Sequence, residues 1–168
     1  NGVKPAFHDF GLTGQSVPDY DPDLCNACGK CSVIDKCPVH AMSRDEDGNL
    51  VLDSEKCTNC GKCVGACPFD CIEEKARGYK VSIGGIWGKT QRMPDYLPGI
   101  YTEDEVMKLI EKCLLLYREQ GITGERFGRT LDRIGADKFI EQLLSDDVLE
   151  RKQEILDAKL HLVGGATC

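Results

Sequence analysis

The sequence predicts an α+β fold, in which a cysteine-rich lobe sits on an α/β lobe whose sheet is completed by residues 8–14 beside 79–85. Three observations carry that prediction. Eight of the eleven cysteines fall into two phased sets between Cys25 and Cys67. Short strand-like strings flank those sets on both sides. Beyond Thr102 the apolar residues switch to helical spacing.

Taken in order, residues 1–20 form an N-terminal flank. They hold the strand-and-turn string His8-Asp9-Phe10-Gly11-Leu12-Thr13-Gly14, followed by Pro18-Asp19-Tyr20. Residues 21–75 carry the cysteines. The first set is Cys25-x2-Cys28-x2-Cys31 with a trailing Cys37-Pro38, and the second is Cys57-x2-Cys60-x2-Cys63 with Cys67-Pro68. This doubled pattern is the ligand set of a protein with two 4Fe-4S clusters, and it makes the segment a ferredoxin-like unit with an internal repeat. Three closely spaced thiolates on one loop cap three irons, and the remote cysteine points away to serve the other cluster. Cluster I is therefore assigned to Cys25, Cys28, Cys31 and Cys67, and cluster II to Cys57, Cys60, Cys63 and Cys37. Each proline helps turn the chain after its ligand. Gly29 and Gly61 are expected to let the backbone curl around the clusters. Residues Ser32 to Lys36 lengthen the first loop without removing a ligand.

Zinc is the poorer fit, because a structural zinc site wants paired CxxC units rather than triplets with a trailing Cys-Pro. A disulfide framework suits a secreted, cysteine-dense chain, and no signal-peptide pattern opens this one. Within the repeat, Ala41–Arg44 and Leu50–Asp53 flank Asp45-Glu46-Asp47-Gly48-Asn49 and read as a hairpin. Ile72–Lys75 begins a closing strand.

Residues 76–145 form a C-terminal α/β lobe. Tyr79–Ile83 alternates as a strand and stops at Gly84-Gly85, which lacks the context of a phosphate loop. A loop follows through Trp87, Lys89 and Arg92. Thr102-Glu103-Asp104-Glu105 opens a capped helix that Gly121 ends. Further helices are expected over Glu125–Ile134 and from Asp137, and residues 146–168 form a helical tail with frayed last residues.

The net charge is −7, which argues against a nucleic-acid partner. Eleven acidic and six basic side chains lie between Asp21 and Lys75, so the cysteine-rich lobe suits steering toward a basic docking face. No apolar stretch is long enough to span a membrane, and thiolates kept available for iron suit a reducing, cytoplasmic setting.

The flanks carry a resemblance. His8–Gly14, Tyr79–Gly85, Tyr117-Arg118-Glu119-Gln120-Gly121 and Gly124–Gly135 make residues 5–145 resemble the C-terminal portion of a sirohaem-containing nitrite/sulfite reductase, of the anaerobic or dissimilatory sulfite reductase type. The resemblance implies a two-cluster ferredoxin-like domain inserted in an α/β lobe of the sirohaem-binding type. It further implies an electron relay to the haem-coupled centre for six-electron reduction of sulfite or nitrite, with an electron donor protein and the remainder of the reductase or its other subunits as partners. Four further cysteines hold the sirohaem-coupled cluster in that family. Cys71, Cys113 and Cys168 are too scattered to replace them, so the chain alone is expected to be inactive, with sirohaem bound only in the company of the rest of the reductase. The alternative function is a free-standing dicluster electron carrier with a C-terminal docking module.

Lys89, Arg92, Arg126 and Arg129 are the candidate sirohaem-facing cations. Arg126, Arg129 and Arg133 are spaced to share one helix face, where pairing with Asp132 or Asp137 is the competing use. Cys71 and Cys113 are expected to be core residues, and His8 and His40 surface ones. Trp87 is a candidate for covering an interface.

Overall fold

The computed structural model describes residues 4–161; Cys168 and the end of the expected tail lie outside them. The chain divides into two compact units, one of Asn1–Thr13 with Tyr79–Cys168 and the other of Gly14–Gly78. Strand β1 (Phe10–Tyr20) leads from the first unit into the second, and β4 (Ile72–Ile83) leads back.

The Gly14–Gly78 unit contains a short helix α1 (Ser32–Lys36) and the hairpin of β2 (Met42–Arg44) and β3 (Leu50–Leu52). The hairpin has Met42 opposite Leu52 and Arg44 opposite Leu50. Its turn closes because Asp45 Oδ1 accepts from the Asn49 amide at 2.7 Å, while Gly48 takes a φ of 86°. Val33, Met42, Leu50, Cys63, Ala66, Cys71 and Ile72 form the small core, and Cys25, Cys31, Cys37 and Cys67 pack against it. The ligand candidates thus supply much of the apolar interior.

The other unit is built on a longer scaffold. The sheet order is β1-β4-β5, with β5 at Asp95–Tyr96 and Ser82 opposite Tyr96. Helix α2 (Glu103–Gln120) starts at a complete capping box, Thr102 Oγ1 accepting from the Glu105 amide and the Glu105 carboxylate from the Thr102 amide. Helices α3 (Phe127–Ile134) and α4 (Ala136–Leu144) share Gly135, whose φ of 92° sets the corner. Two short helices, α5 (Asp147–Glu150) and α6 (Lys152–Asp157), pack on α2. Leu116, Leu131, Phe139 and Leu143 are fully buried at the centre. Cys113 is buried with them, and desolvation pushes its thiol up to about 12.

Three expectations change. The flanking strand is not short: β1 runs on through Pro18, which is tolerated because β1 lies at the sheet edge. Ile72–Lys75 and Tyr79–Ile83 are one continuous strand rather than two. Helix α3 begins at Phe127, because the Glu125 amide bonds the Ile122 carbonyl in a preceding turn. The Gly84-Gly85 pair is a packing device: a Cβ on Gly85 would stand 2.2 Å from the Ala6 carbonyl oxygen, and one on Gly84 2.3 Å from Leu131 Cδ1. No helix among the described residues is long and apolar enough to cross a membrane.

Candidate metal centre

The two cysteine loops share a backbone shape that their side chains do not explain. Among the described residues, the non-glycine residues with positive φ are Ala27, His40, Asn59 and Asp70. Ala27 and Asn59 occupy the same place in the two triplets, just before Cys28 and Cys60. His40 and Asp70 occupy the same place after Cys37 and Cys67. The left-handed turn aims amides at sulfur: the Asn59 N–H points at Cys57 Sγ at 3.4 Å, and the Ala27 N–H bonds Cys25. The Ala41 N–H lies 3.2 Å from Cys37 Sγ, and the Cys71 N–H bonds Cys67 in the matching position. Such donors hold charge on sulfur, as iron ligation requires.

The surroundings of each thiol group the cysteines into two neighbourhoods. Cys37, Cys57, Cys60 and Cys63 line one cavity together with Leu52 and Ala41. Burial pushes the Cys63 thiol up, and negative charge on Cys57, Cys60 and Cys37 adds to the push. Cys25 and Cys67 meet around Cys71. The Cys71 thiol is driven to about 12, chiefly by burial and then by its hydrogen bond and charge contact with Cys67 and by Cys25. Cys25 is held below the ordinary thiol range by the Ala27 amide and then the Tyr20 hydroxyl. Burial alone would raise Cys37, but the amides of Val39, Ala41, Met42 and His40 bring it down. Four thiols around one cavity and amides directed at sulfur fit a cubane iron–sulfur group. Among the described residues, no three Cys, His, Asp or Glu side chains converge on a single-ion position.

Gly61 behaves as expected, with a φ of 70° and a would-be Cβ 2.7 Å from Ser16. Gly29 does not: its φ is not left-handed, and a Cβ there would meet nothing within 4 Å. The first loop gets its curl from Ala27 instead.

The basic candidates all lie in the helical unit. Arg92 is held inside it, Nε at 2.7 Å from Asp132, Nη2 at 2.7 Å from Asp95, and Nη1 on the carbonyls of Gly84 and Met93. Arg129 joins it on Asp132 at 3.0 Å. Arg126 precedes α3 rather than sharing its face, and pairs with Asp9 at 2.9 Å. Arg133 pairs with Glu125 at 2.7 Å, and with Thr130 holds that carboxyl down at about 2. Lys89 is exposed and makes no ion pair among the described residues. His8 and His40 are both exposed, and Trp87 is 58 % exposed with its ring against Phe7. Tyr20, Arg44 and Cys71 emerge as neighbours of the cysteines. A register of one cysteine half against the other would have shown the last of these beside its ligand.

Comparison with known proteins extends these findings. Residues 1–152 match the family described as nitrite and sulphite reductase 4Fe-4S domain. The coenzyme F420-dependent sulfite reductase of Methanocaldococcus jannaschii is 30% identical over 144 residues, covering 84% of this chain and 22% of that protein. The dissimilatory-type sulfite reductase subunit alpha of Megalodesulfovibrio gigas is 30% identical, covering 67% of this chain and 59% of its own length. The chain therefore spans less than two thirds of the length of these relatives. A crystal structure of dissimilatory sulfite reductase I has the same fold, with a TM-score of 0.55 at 24% identity over 83% of this chain and 38% of the other. By contrast, the arsenate respiratory reductase iron–sulfur subunit of a Shewanella species is 34% identical over only 73 residues, which is 41% of this chain and 31% of that protein.

Proposed function

The chain belongs to the nitrite and sulphite reductase 4Fe-4S domain family, and we propose that it relays single electrons through two 4Fe-4S clusters to the haem-coupled centre of a sirohaem sulfite or nitrite reductase. The observation that supports the reading is that Cys37 lines one cavity with Cys57, Cys60 and Cys63, while Cys67 and Cys25 both neighbour Cys71. When bound, the clusters supply one-electron transfer at each step.

The chain's own residues do the rest. Cys25, Cys28, Cys31 and Cys67 hold cluster I, and Cys57, Cys60, Cys63 and Cys37 hold cluster II. The amides of Ala27, Ala41, Asn59 and Cys71 stabilise charge on sulfur. The acidic excess between Asp21 and Lys75 favours docking of a basic electron donor. Residues 21–75 act as a cluster domain inserted in a lobe of the sirohaem-binding type, a reading supported by the discontinuous unit their flanks form. Lys89 and the outward N–H groups of Arg126 and Arg129 are the cations left to meet sirohaem carboxylates, since Arg92 is engaged within its own unit. The setting is reducing and cytoplasmic.

The test is anaerobic iron, acid-labile sulfide and zinc analysis with a visible spectrum. About eight irons and eight sulfides per chain are expected for two cubanes. Zinc without sulfide would sink the proposal.

A further inference from the structure

The two halves of the cysteine unit repeat, so their neighbours can be compared position by position. The step from Cys25 to Cys57 recurs for Cys28 and Cys60 and for Cys31 and Cys63, and Cys37 corresponds to Cys67. Three matched pairs differ in the same direction. Cys71 corresponds to Ala41, and both are buried with a backbone N–H on the remote ligand. Cys71 adds a thiol that stands close enough to Cys67 and Cys25 to interact with both, where Ala41 adds only a methyl group. Tyr20 corresponds to Leu52, each standing five positions before its triplet. The Tyr20 hydroxyl neighbours Cys25 and favours its charged form, whereas Leu52 lines the cavity of Cys57, Cys60 and Cys63.

The third pair is charged. Arg44 donates to the carbonyls of Cys28 and Gly48 and so fixes a cation against the first loop. At the matching position stands Glu74, which accepts from the Ser16 hydroxyl. Ser16 in turn pairs with the second loop, its amide 2.8 Å from the Asn59 carbonyl oxygen and its backbone bridged to Cys60. The first loop thus has a fixed cation where the second has an anion. Arg77 offsets Glu74 in part, but it is 78% exposed and screened by water. One pair runs the other way, since Asp70 lies beside Cys67 where His40 follows Cys37. Asp70 is exposed and its field is damped accordingly, whereas Cys71 is 2 % exposed.

Reduction adds negative charge to a cluster, so hydrogen-bond donors on its sulfurs and nearby cations favour the reduced state, while anions and apolar walls disfavour it. We propose that the cluster held by Cys25, Cys28, Cys31 and Cys67 has the higher reduction potential of the two, so that an electron given to the pair comes to rest there. The inference depends on the two-cluster reading above. One electron leaves the centre of Cys57, Cys60, Cys63 and Cys37 and one is gained at the other, with no bond made or broken and no proton moved. A low-potential one-electron donor supplies it, and the haem-coupled centre consumes it. Tyr20, Arg44 and Cys71 act as positioning residues for that order.

The test is a redox titration of the cluster-loaded full chain, followed by electron paramagnetic resonance, after iron and sulfide analysis has established two clusters. Two waves are expected. Arg44→Gln and Cys71→Ala each lower the higher wave and narrow the separation, and Cys71→Ser, which keeps a donor, restores much of it. Glu74→Gln narrows the separation from the other side by raising the lower wave. A separation that widens in Arg44→Gln, or that is unchanged in both Arg44→Gln and Glu74→Gln, overturns the proposed order while leaving the relay intact. Absence of two clusters overturns the relay itself. Should Cys71→Ala fail to load, the Arg44 and Glu74 variants decide the matter alone.

Discussion

The two units of the chain are held together by different means. The helical unit has an apolar interior with Leu116, Leu131, Phe139 and Leu143 fully buried, a capped helix of 18 residues and aromatic rings of Tyr117, Phe127 and Phe139 in edge contact. The cysteine unit has two three-residue strands in its hairpin, a five-residue helix and a core in which Cys63 and Cys71 stand beside Ala66. A core of that size offsets the ordering of sixty-odd residues only marginally, so that bound metal has much to add. One unit is stabilised by a large apolar core, whereas the other fills much of its small interior with its own cysteines.

The largest expected effect separates the two directly. Removing iron under anaerobic, reducing conditions should unfold Gly14–Gly78 and leave the helical signal in place. Circular dichroism with limited proteolysis checks this, and simultaneous loss of both units would break the distinction. In the opposite direction, Phe139→Ala should cost the helical unit about 3–5 kcal/mol. Iron content per folded chain should not change, as denaturant unfolding combined with iron analysis would reveal. Thr102→Ala removes the cap of α2 and should cost about 1 kcal/mol by the same unfolding measurement.

The smallest effect is confined to acid. The Glu125 carboxyl sits at about 2 in the folded chain, against an ordinary value of 4.5, because Arg133 and Thr130 bond it. A depressed pKa contributes stability that is present above the ordinary value and is lost as pH falls through the folded one. Arg133→Ala should therefore weaken the helical unit at neutral pH, with the difference from the parent shrinking between about pH 4.5 and 2. Equal destabilisation at pH 7 and pH 2 would show that the ion pair is not the cause.

Legibility in the sequence follows the same division. The iron–sulfur character of the cysteine unit could be read from spacing, because triplets with a trailing Cys-Pro suit a cubane and not a single zinc ion. The α2 start could be read from Thr102 and Glu105, because capping is local chemistry. The lengths of β1 and β4 could not, since Pro18 is compatible with a strand only once the strand is known to lie at an edge. Nor could the fate of Arg92, whose partners Asp95 and Asp132 are brought together by the fold. Left-handed Ala27 was equally hidden, because nothing in an alanine announces a positive φ.

Those four left-handed residues bear on the life of the protein after oxidative damage. Each costs on the order of 1 kcal/mol relative to a relaxed backbone, Ala27 most of all, and under the proposed relay ligation to the inorganic cores is what offsets it. Once those cores are lost, the loops are free to spring toward ordinary conformations and the sulfurs lose their common aim. The damaged chain then meets incoming iron with its ligands out of register, so repair becomes a problem of refolding as much as of iron supply.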